Sequence, residues 1–133
     1  MKYLIDTQIL IWFDLSSPRL KSNILDILVN PKNKIFVPQV SLFEIAVKQN
    51  IGKLPELLWT TEVIAKQMEK DGFELLKIEN SHIQRFINLP VFDNHRDPFD
   101  RLIIASALTE NLTIISTDEK FKLYLLDIQL IEA

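Results

Sequence analysis

The sequence predicts an α/β fold, a three-layer α/β/α sandwich with a mainly parallel central sheet. Short apolar segments of strand type alternate with longer segments of helical periodicity, an order that requires crossover connections between parallel strands. Proline and glycine stand between these segments or at their ends. Because the chain has no repeats, low-complexity tracts or flexible linkers, we expect one domain over residues 1–133.

Five apolar runs are too short for helices and are predicted as strands. In chain order they are residues 2–5, 34–37, 74–77, 113–116 and 129–132. The strands should lie side by side and parallel, with ligands bound near their carboxyl ends.

The segments between the strands have helical periodicity, and their ends carry the expected punctuation. Pro18 and Pro31 bound the second helix, and Gly52 and Gly72 stand where a glycine commonly ends a helix. The polar segment 88–96, which contains Pro90, is expected to be a loop. The predicted helices are Thr7–Phe13, Leu20–Val29, Gln39–Ile51, Thr60–Asp71, Ser81–Phe86, Pro98–Glu110 and Glu119–Tyr124.

Composition removes several classes of site. The chain has no cysteine, which excludes disulfides, thiolate zinc sites and cysteine nucleophiles. With two histidines, a histidine-rich metal site is not expected, so a metal would be held by oxygen, as magnesium, manganese and calcium are. Two glycines cannot form a dinucleotide fingerprint or a phosphate-binding loop.

Charge and hydropathy indicate the class of protein. The net charge of −3 disfavours a sequence-blind nucleic-acid coating protein but leaves a nuclease with a local basic rim possible. The apolar run Leu102–Leu108 is far shorter than the ~20 residues of a membrane span. A strand that begins at Lys2 leaves no room for a signal peptide, so we expect a cytoplasmic protein without a membrane segment.

Four acidic residues stand where a parallel sheet would bring them together. Asp6 and Asp118 follow predicted strands, Glu44 lies early in the helix after the second strand, and Asp100 lies in the first turn of the most apolar helix. Carboxylates gathered at one sheet edge repel one another unless a cation is present. The four acids therefore predict a site for a hard metal ion.

Each acid also has a structural interpretation. Asp6 and Asp118 could each cap the helix that follows. Asp97 precedes Pro98 and stands three residues before Asp100, a pattern close to a capping box, so we interpret Asp97 as mainly structural. Asp100 could pair with Arg101.

The helix that carries Glu44 has a polar stripe formed by Ser41, Glu44 and Lys48. Glu44 and Lys48, four residues apart, could form a surface ion pair, or the stripe could be the polar wall of a cleft. Lys48, Arg96 and Arg101 are candidates to bind substrate phosphates, although a solvated surface charge is the favoured interpretation of each.

Four segments together resemble one family. They are Leu-Ile-Asp-Thr at 4–7, Ser-Leu-Phe-Glu-Ile-Ala-Val-Lys at 41–48, His-Arg-Asp-Pro-Phe-Asp-Arg-Leu-Ile-Ile-Ala at 95–105, and Ser-Thr-Asp at 116–118. This order resembles the PIN-domain family, and within it the VapC-type toxins of type II toxin–antitoxin systems. The resemblance covers essentially the whole chain, and its most specific part is the segment 95–105.

The resemblance implies a metal-dependent endoribonuclease that hydrolyses RNA with a metal-activated water. It implies that Asp6, Glu44, Asp100 and Asp118 bind Mg²⁺ or Mn²⁺. We expect Asp6 to be the innermost ligand, because it ends the predicted central strand, with Glu44 and Asp100 completing the first site and Asp118 forming a second site or an outer contact. Further candidates for contacts to the substrate or to these ligands are Thr7, Lys48, Asp97, Arg101 and Ser116. Many relatives carry histidine, serine or asparagine where this chain has Gln8, which leaves the substrate preference open.

The resemblance also implies partners: an RNA substrate, a small antitoxin protein and a second copy of the chain in a homodimer. Five apolar residues could serve these contacts or could belong to the core: Trp12, Phe13, Leu57, Leu58 and Trp59.

Two other functions compete. A PIN-like scaffold could bind RNA or protein without cleaving it. A phosphoryl-transfer enzyme could use Asp6 as nucleophile, but the second aspartate of dehalogenase-like phosphatases is replaced by Gln8, and a receiver domain's neighbouring acid pair is missing.

Overall fold

The central sheet has five parallel strands. The computed structural model describes residues 1–125 and 127–133. The strands are β1 (Lys2–Ile5), β2 (Lys34–Pro38), β3 (Glu74–Leu76), β4 (Thr113–Ser116) and β5 (Leu130–Glu132). Their order across the sheet is β3-β2-β1-β4-β5, and all four neighbouring pairs are parallel. The predicted α/β fold is thus confirmed, with β1 in the centre of the sheet.

Six α-helices and one 3₁₀ helix are described. They are α1 (Thr7–Asp14), α2 (Ser22–Val29), α3 (Gln39–Asn50), α4 (Thr61–Lys70), α5 (Asn80–Ile87), α6 (Pro98–Glu110) and the 3₁₀ helix Glu119–Tyr124. No helix in these described residues is both long and apolar enough to cross a membrane.

The helices cover both faces of the sheet, because successive strand residues point to opposite sides. Tyr3 and Ile5 of β1 face a core formed with α1 to α4, whereas Leu4 between them faces a second core formed mainly with α6 and the 3₁₀ helix. Two buried cores on a single sheet give the three layers that the sequence predicts.

Where element boundaries differ from the predicted ones, they do so by one or two residues, and some of these differences arise because a capping residue was predicted as helical. Thr60, predicted as the first residue of a helix, is instead its N-cap, and its hydroxyl accepts from the Val63 N–H at 3.3 Å. The second helix begins at Ser22, not at Leu20, since the Leu20 N–H bonds back to the Ser17 carbonyl at 3.2 Å in a turn. The last predicted helix forms as a single 3₁₀ segment.

Gly72 ends α4 as predicted. Its φ is +79°, a conformation that disfavours any residue with a Cβ. The Gly72 N–H bonds to the Glu69 carbonyl at 3.1 Å, and the Phe73 N–H bonds to the Met68 carbonyl at 2.9 Å. These two bonds form a Schellman motif, which turns the chain into β3.

Candidate metal centre

An acidic pocket opens at the carboxyl edge of the sheet. It has a volume of about 310 Å³ and contains all four predicted acids. Its lining residues are Asp6, Thr7, Gln8, Glu44, Lys48, Asp97, Asp100, Thr117 and Asp118. The parallel sheet brings these distant positions together because β1, β2 and β4 all end at this edge.

Asp6 lies at the centre of the sheet edge and is 6% exposed. Its Oδ1 accepts from the Ile9 N–H at 3.0 Å, so it caps α1 as the structural interpretation predicts. Its Oδ2 accepts from the Ser116 hydroxyl at 2.5 Å and from the Thr117 N–H at 3.2 Å. Burial raises the pKa of Asp6, and the three hydrogen bonds oppose that rise. Capping and a place in the acidic pocket therefore coexist in one side chain.

The contact between Ser116 and Asp6 follows from strand register. Ile5 is paired with Ile115, so the residues one step further along β1 and β4 lie side by side. The Asp118 N–H donates to the Ser116 Oγ at 3.0 Å, while the Ser116 hydroxyl donates to Asp6. Ser116 thereby links the acid after β1 to the loop that carries Asp118.

Glu44 is held from two sides in the second turn of α3. Thr7 Oγ1 lies 3.0 Å from Glu44 Oε1 and 2.9 Å from Ser41 Oγ. Lys48 Nζ lies 3.4 Å from Glu44 Oε2. Both interpretations of the polar stripe are correct, since Glu44 and Lys48 form an i,i+4 pair and also line the acidic pocket.

Asp100 faces the same pocket from the first turn of α6. One of its carboxylate oxygens lies within 4.8 Å of an Asp118 oxygen, and its Oδ2 is 3.4 Å from His95 Nε2. Burial, and then the charges of Asp97, Glu44, Asp118 and Asp6, raise the pKa of Asp100 to about 7. An ordinary surface aspartate would not have so perturbed a pKa, and the causes here are burial first and the gathered negative charge second.

Asp97 and Asp118 are both helix caps at the rim of the pocket. Asp97 Oδ1 accepts from the Phe99 N–H at 2.8 Å, and Pro98 occupies the first turn as predicted. Asp118 Oδ1 accepts from the Lys120 N–H at 2.9 Å.

The three predicted phosphate contacts have different surroundings. Lys48 lines the pocket. Arg96 is 70% exposed and pairs with Asp93 at 3.1 Å, a surface pair of small energetic value. Arg101 is neither a solvated charge nor, among the described residues, a partner of Asp100: it is 7% exposed and donates to Pro90 O and Tyr124 Oη, both at 2.9 Å.

Sequence reasoning assigned no role to His95, Thr117 and Tyr124. His95 is buried beside Asp100, and Tyr124 Oη lies 2.9 Å from its Nδ1. The position of His95 five residues before Asp100 was the available signal. Thr117 contributes a backbone N–H, which a side-chain pattern cannot reveal.

The apolar residues proposed for partner contacts divide between core and surface. Leu57 is buried, whereas Leu58 is 86% exposed. Phe13 and Trp59 line a pocket of about 450 Å³ away from the four acids. The remaining candidate, Trp12, is half-buried.

The donor set of the acidic pocket fits a hard divalent cation. Its carboxylates are the ligands that Mg²⁺ and Mn²⁺ prefer, and their mutual repulsion favours a counter-charge. His95, Asp100 and Asp118 each place one potential ligand atom within 4.8 Å of the others. Chemically, such a pocket can bind a divalent ion and present it at an open sheet edge.

Comparison with known proteins agrees with this geometry. The family model described as PIN domain matches residues 3–124. No curated protein matches the chain significantly.

Solved structures share the fold at low sequence identity. A chain in the structure of VapBC2 from Rickettsia felis, a complex bound to a DNA fragment from its own promoter, is 20% identical, with a TM-score of 0.69 and 99% and 98% of the two chains covered. VapBC-1 from nontypeable Haemophilus influenzae gives 17% identity, a TM-score of 0.63 and the same coverage. VapBC-5 from Mycobacterium tuberculosis, a member of the VapBC family of toxin–antitoxin systems, is 18% identical, with a TM-score of 0.62 and 99% and 98% of the two chains covered. The match of the family model over nearly the whole chain, on a sheet whose edge gathers four acids, places this protein in the PIN domain family.

Proposed function

We propose that the protein is a Mg²⁺- or Mn²⁺-dependent endoribonuclease and the toxin of a toxin–antitoxin pair. The observation that carries the proposal is the convergence of Asp6, Glu44, Asp100 and Asp118 on one pocket. Family membership supports nuclease chemistry, and the fold shared with VapBC structures supports the toxin assignment.

The four carboxylates would hold the cation, with Asp6 innermost because it ends the central strand. When bound, a divalent cation supplies Lewis acidity and charge neutralisation at the phosphodiester. The carboxylates contribute most when their oxygens are fixed in advance, since prior ordering avoids reorganisation during the reaction.

Neighbouring side chains and one backbone N–H hold the carboxylate oxygens in place. Ser116 and the Thr117 N–H hold Asp6 Oδ2, and Thr7 holds Glu44. Lys48 is the basic side chain in the pocket lining, and 39% of it is exposed, so its ammonium group is accessible to a phosphate of the RNA.

The proposal is tested by incubating purified protein with circular single-stranded RNA and Mn²⁺ or Mg²⁺. A circle has no ends, so only an endonuclease can open it. We expect linear products from the wild type and none in EDTA. Asp6→Asn should abolish cleavage while retaining the fold, because asparagine is also a good N-cap for α1.

Asp26→Asn is a matched control, since it removes an exposed aspartate from α2. It should cleave like the wild type. A folded wild type that binds Mn²⁺ but opens no circle would contradict endonuclease activity on that RNA. A wild type that binds no Mn²⁺ at millimolar concentration would favour the non-catalytic scaffold. Covalent phosphate on Asp6 would favour a phosphoryl-transfer enzyme.

The antitoxin part of the proposal has its own test. Expression should arrest growth, and co-expression with a cognate antitoxin should relieve the arrest. We propose that the pocket lined by Phe13 and Trp59 receives part of this partner, since it is a mainly apolar pocket of about 450 Å³ outside the acidic site and is lined by two of the residues expected at partner contacts. Phe13→Ser should weaken antitoxin binding without changing RNA cleavage, and an unchanged antitoxin affinity would contradict this location.

We also propose that the toxin forms a homodimer. Sedimentation of the purified protein over a concentration series should show the dimer, and a monomer throughout the series would contradict it.

A further inference from the structure

His95 is a buried histidine that touches a predicted metal ligand. It lies in the loop before α6, is 2% exposed, and packs against the rings of Phe121 and Tyr124, with centroids at 5.9 Å and 5.5 Å. Its Nδ1 lies 2.9 Å from Tyr124 Oη and its Nε2 lies 3.4 Å from Asp100 Oδ2. Both ring nitrogens therefore have partners, and the position of the proton decides what the ring does.

Arg101 determines the direction of this hydrogen-bond chain. A guanidinium can only donate, so Tyr124 Oη accepts from Arg101 Nη1 at 2.9 Å. The same Arg101 nitrogen donates to the Pro90 carbonyl, and the guanidinium lies over the Phe86 ring at 5.2 Å, so the group is fixed. Tyr124 must then direct its own hydroxyl proton elsewhere.

His95 Nδ1 is the acceptor for that proton. Among the described residues, Arg101 and His95 are the hydrogen-bond partners of the buried Tyr124 hydroxyl. If His95 Nδ1 carried a proton, the hydroxyl would lack an acceptor, which costs about 1–3 kcal/mol for a buried group. The neutral ring therefore carries its proton on Nε2, where it points at Asp100.

From this chain of donors we infer that His95 is a positioning residue, which holds the Asp100 carboxylate through Nε2–H and does not itself bind the metal. This inference rests on the proposed function, because it assigns Asp100 to the metal site. An Nε2 that carries a proton has no lone pair for a cation, although one ring nitrogen of His95 lies within 4.8 Å of one carboxylate oxygen each of Asp100 and Asp118. Hydrogen-bonded supports of this kind commonly tune metal sites.

The tautomer can be measured directly by long-range ¹H–¹⁵N NMR of the imidazoles in the metal-free protein. His82 is an internal reference, because its Nδ1 accepts the Glu79 backbone N–H at 3.2 Å and must be unprotonated. We expect His95 to give the same Nε2–H pattern, and His82→Gln to assign the signals. A protonated His95 Nδ1, or loss of the Nε2 proton on saturation with Mg²⁺, would overturn the inference. Tyr124→Phe should weaken the preference for Nε2–H without reversing it, because the donor to Nδ1 is lost while Asp100 still accepts from Nε2.

Metal affinity tests the consequence. Titration with Mn²⁺ should show binding about 10–100-fold weaker in His95→Leu, the range typical for losing such a support. His95→Gln should restore most of the affinity, since its amide can accept from Tyr124 and donate to Asp100. His82→Gln is the control for loss of a buried histidine away from the pocket and should bind Mn²⁺ like the wild type.

The outcomes separate this inference from the proposed function. A wild type that neither binds Mn²⁺ nor cleaves RNA would contradict the proposed function. A wild type that does both, with His95→Leu equal to it in affinity, would contradict the role of His95 alone. If His95→Leu does not fold, the tautomer measurement on the wild type still decides.

Discussion

Single residues in this protein perform two tasks at once. Asp6 caps α1 through Oδ1 and faces the acidic pocket, while Oδ2 is held by Ser116 and Thr117. Sequence reasoning treated capping and metal binding as competing interpretations. They are compatible because a carboxylate has two oxygens, each with more than one lone pair.

Ser116→Ala tests how far the orientation of Asp6 matters. Loss of a hydrogen bond to a charged group typically costs about 1.5–3 kcal/mol, so we expect weaker Mn²⁺ binding and slower RNA cleavage by roughly tenfold or more. The measurement is a Mn²⁺ titration beside cleavage rates. Ser106→Ala is the matched control, since this buried hydroxyl donates to the Leu102 carbonyl inside α6. Equal effects of the two changes would contradict a specific role for Ser116.

Asp14 is a third acid with a raised pKa, and it lies at the end of α1 in the pocket of about 450 Å³, not in the acidic pocket. Its Oδ2 is buried without a hydrogen-bond partner among the described residues. Burial, and then the charge of Asp71, raise the pKa of Asp14 to about 7. The folded protein therefore holds a proton on Asp14 at pH values where the unfolded chain has lost it.

Asp14→Asn should raise the free energy of unfolding at pH 8 and have little effect near pH 4. Because the folded pKa is raised, unfolding releases a proton between pH 3.8 and about 7, and wild-type stability falls as pH rises through that window. Urea unfolding at several pH values measures the difference, with Asp26→Asn as the exposed control. A gain in stability that is independent of pH would contradict the argument.

At the scale of elements, the connections place the acids. β2 passes into α3 without an intervening loop, so Glu44 reaches the sheet edge in the second turn. α6 begins with Asp97 as N-cap and Pro98 at its start, which puts Asp100 over the same edge. The capping pattern was readable in the sequence because it depends on neighbouring residues alone.

Gly72→Ala should destabilise the turn between α4 and β3. A Cβ at this position meets no atom within 4 Å, so the cost comes from the backbone conformation alone. We expect a loss of about 1–2 kcal/mol in unfolding free energy, with Mn²⁺ affinity unchanged. Thermal or urea unfolding gives the value, and Glu69→Ala, an exposed change in the same helix, is the control. A loss no larger than that of the control would show that the positive φ is not costly here.

At the scale of the whole molecule, gathering the acids opposes folding of the metal-free protein. The pKa of Asp100 is raised to about 7 by burial and by four neighbouring acids. As with Asp14, a raised carboxyl pKa means that stability falls as pH rises from 3.8 to about 7.

Metal should therefore stabilise the protein more at pH 8 than at pH 5. Below the raised pKa of Asp100, protons compete with the cation for its carboxylate. At 100 times its dissociation constant, a bound ion adds about 2.7 kcal/mol to the unfolding free energy. Urea unfolding with and without Mn²⁺ measures the stabilisation by the metal. The measurement is best made in Asp14→Asn, because the pKa of Asp14 is also about 7 and its titration would overlap that of Asp100. Asp118→Asn should reduce the stabilisation by Mn²⁺. An equal stabilisation at pH 5 and pH 8 would contradict the competition between protons and the metal ion.

The sequence by itself determined the alternation of strands and helices, the parallel sheet and the gathering of Asp6, Glu44, Asp100 and Asp118 in one pocket. These features depend on periodicity, on turn residues and on the rule that parallel strands end at a common edge. It also contained the capping role of Asp97 and the helix end at Gly72, which are local. What only the tertiary structure decided is where long side chains go. Arg101 was expected near phosphate or Asp100, but it donates to Tyr124, which lies 23 positions away in the sequence. The spacing of His95 and Asp100 was a local signal, but the contact of His95 with Tyr124 of the 3₁₀ helix joins residues 29 positions apart and could not be predicted locally.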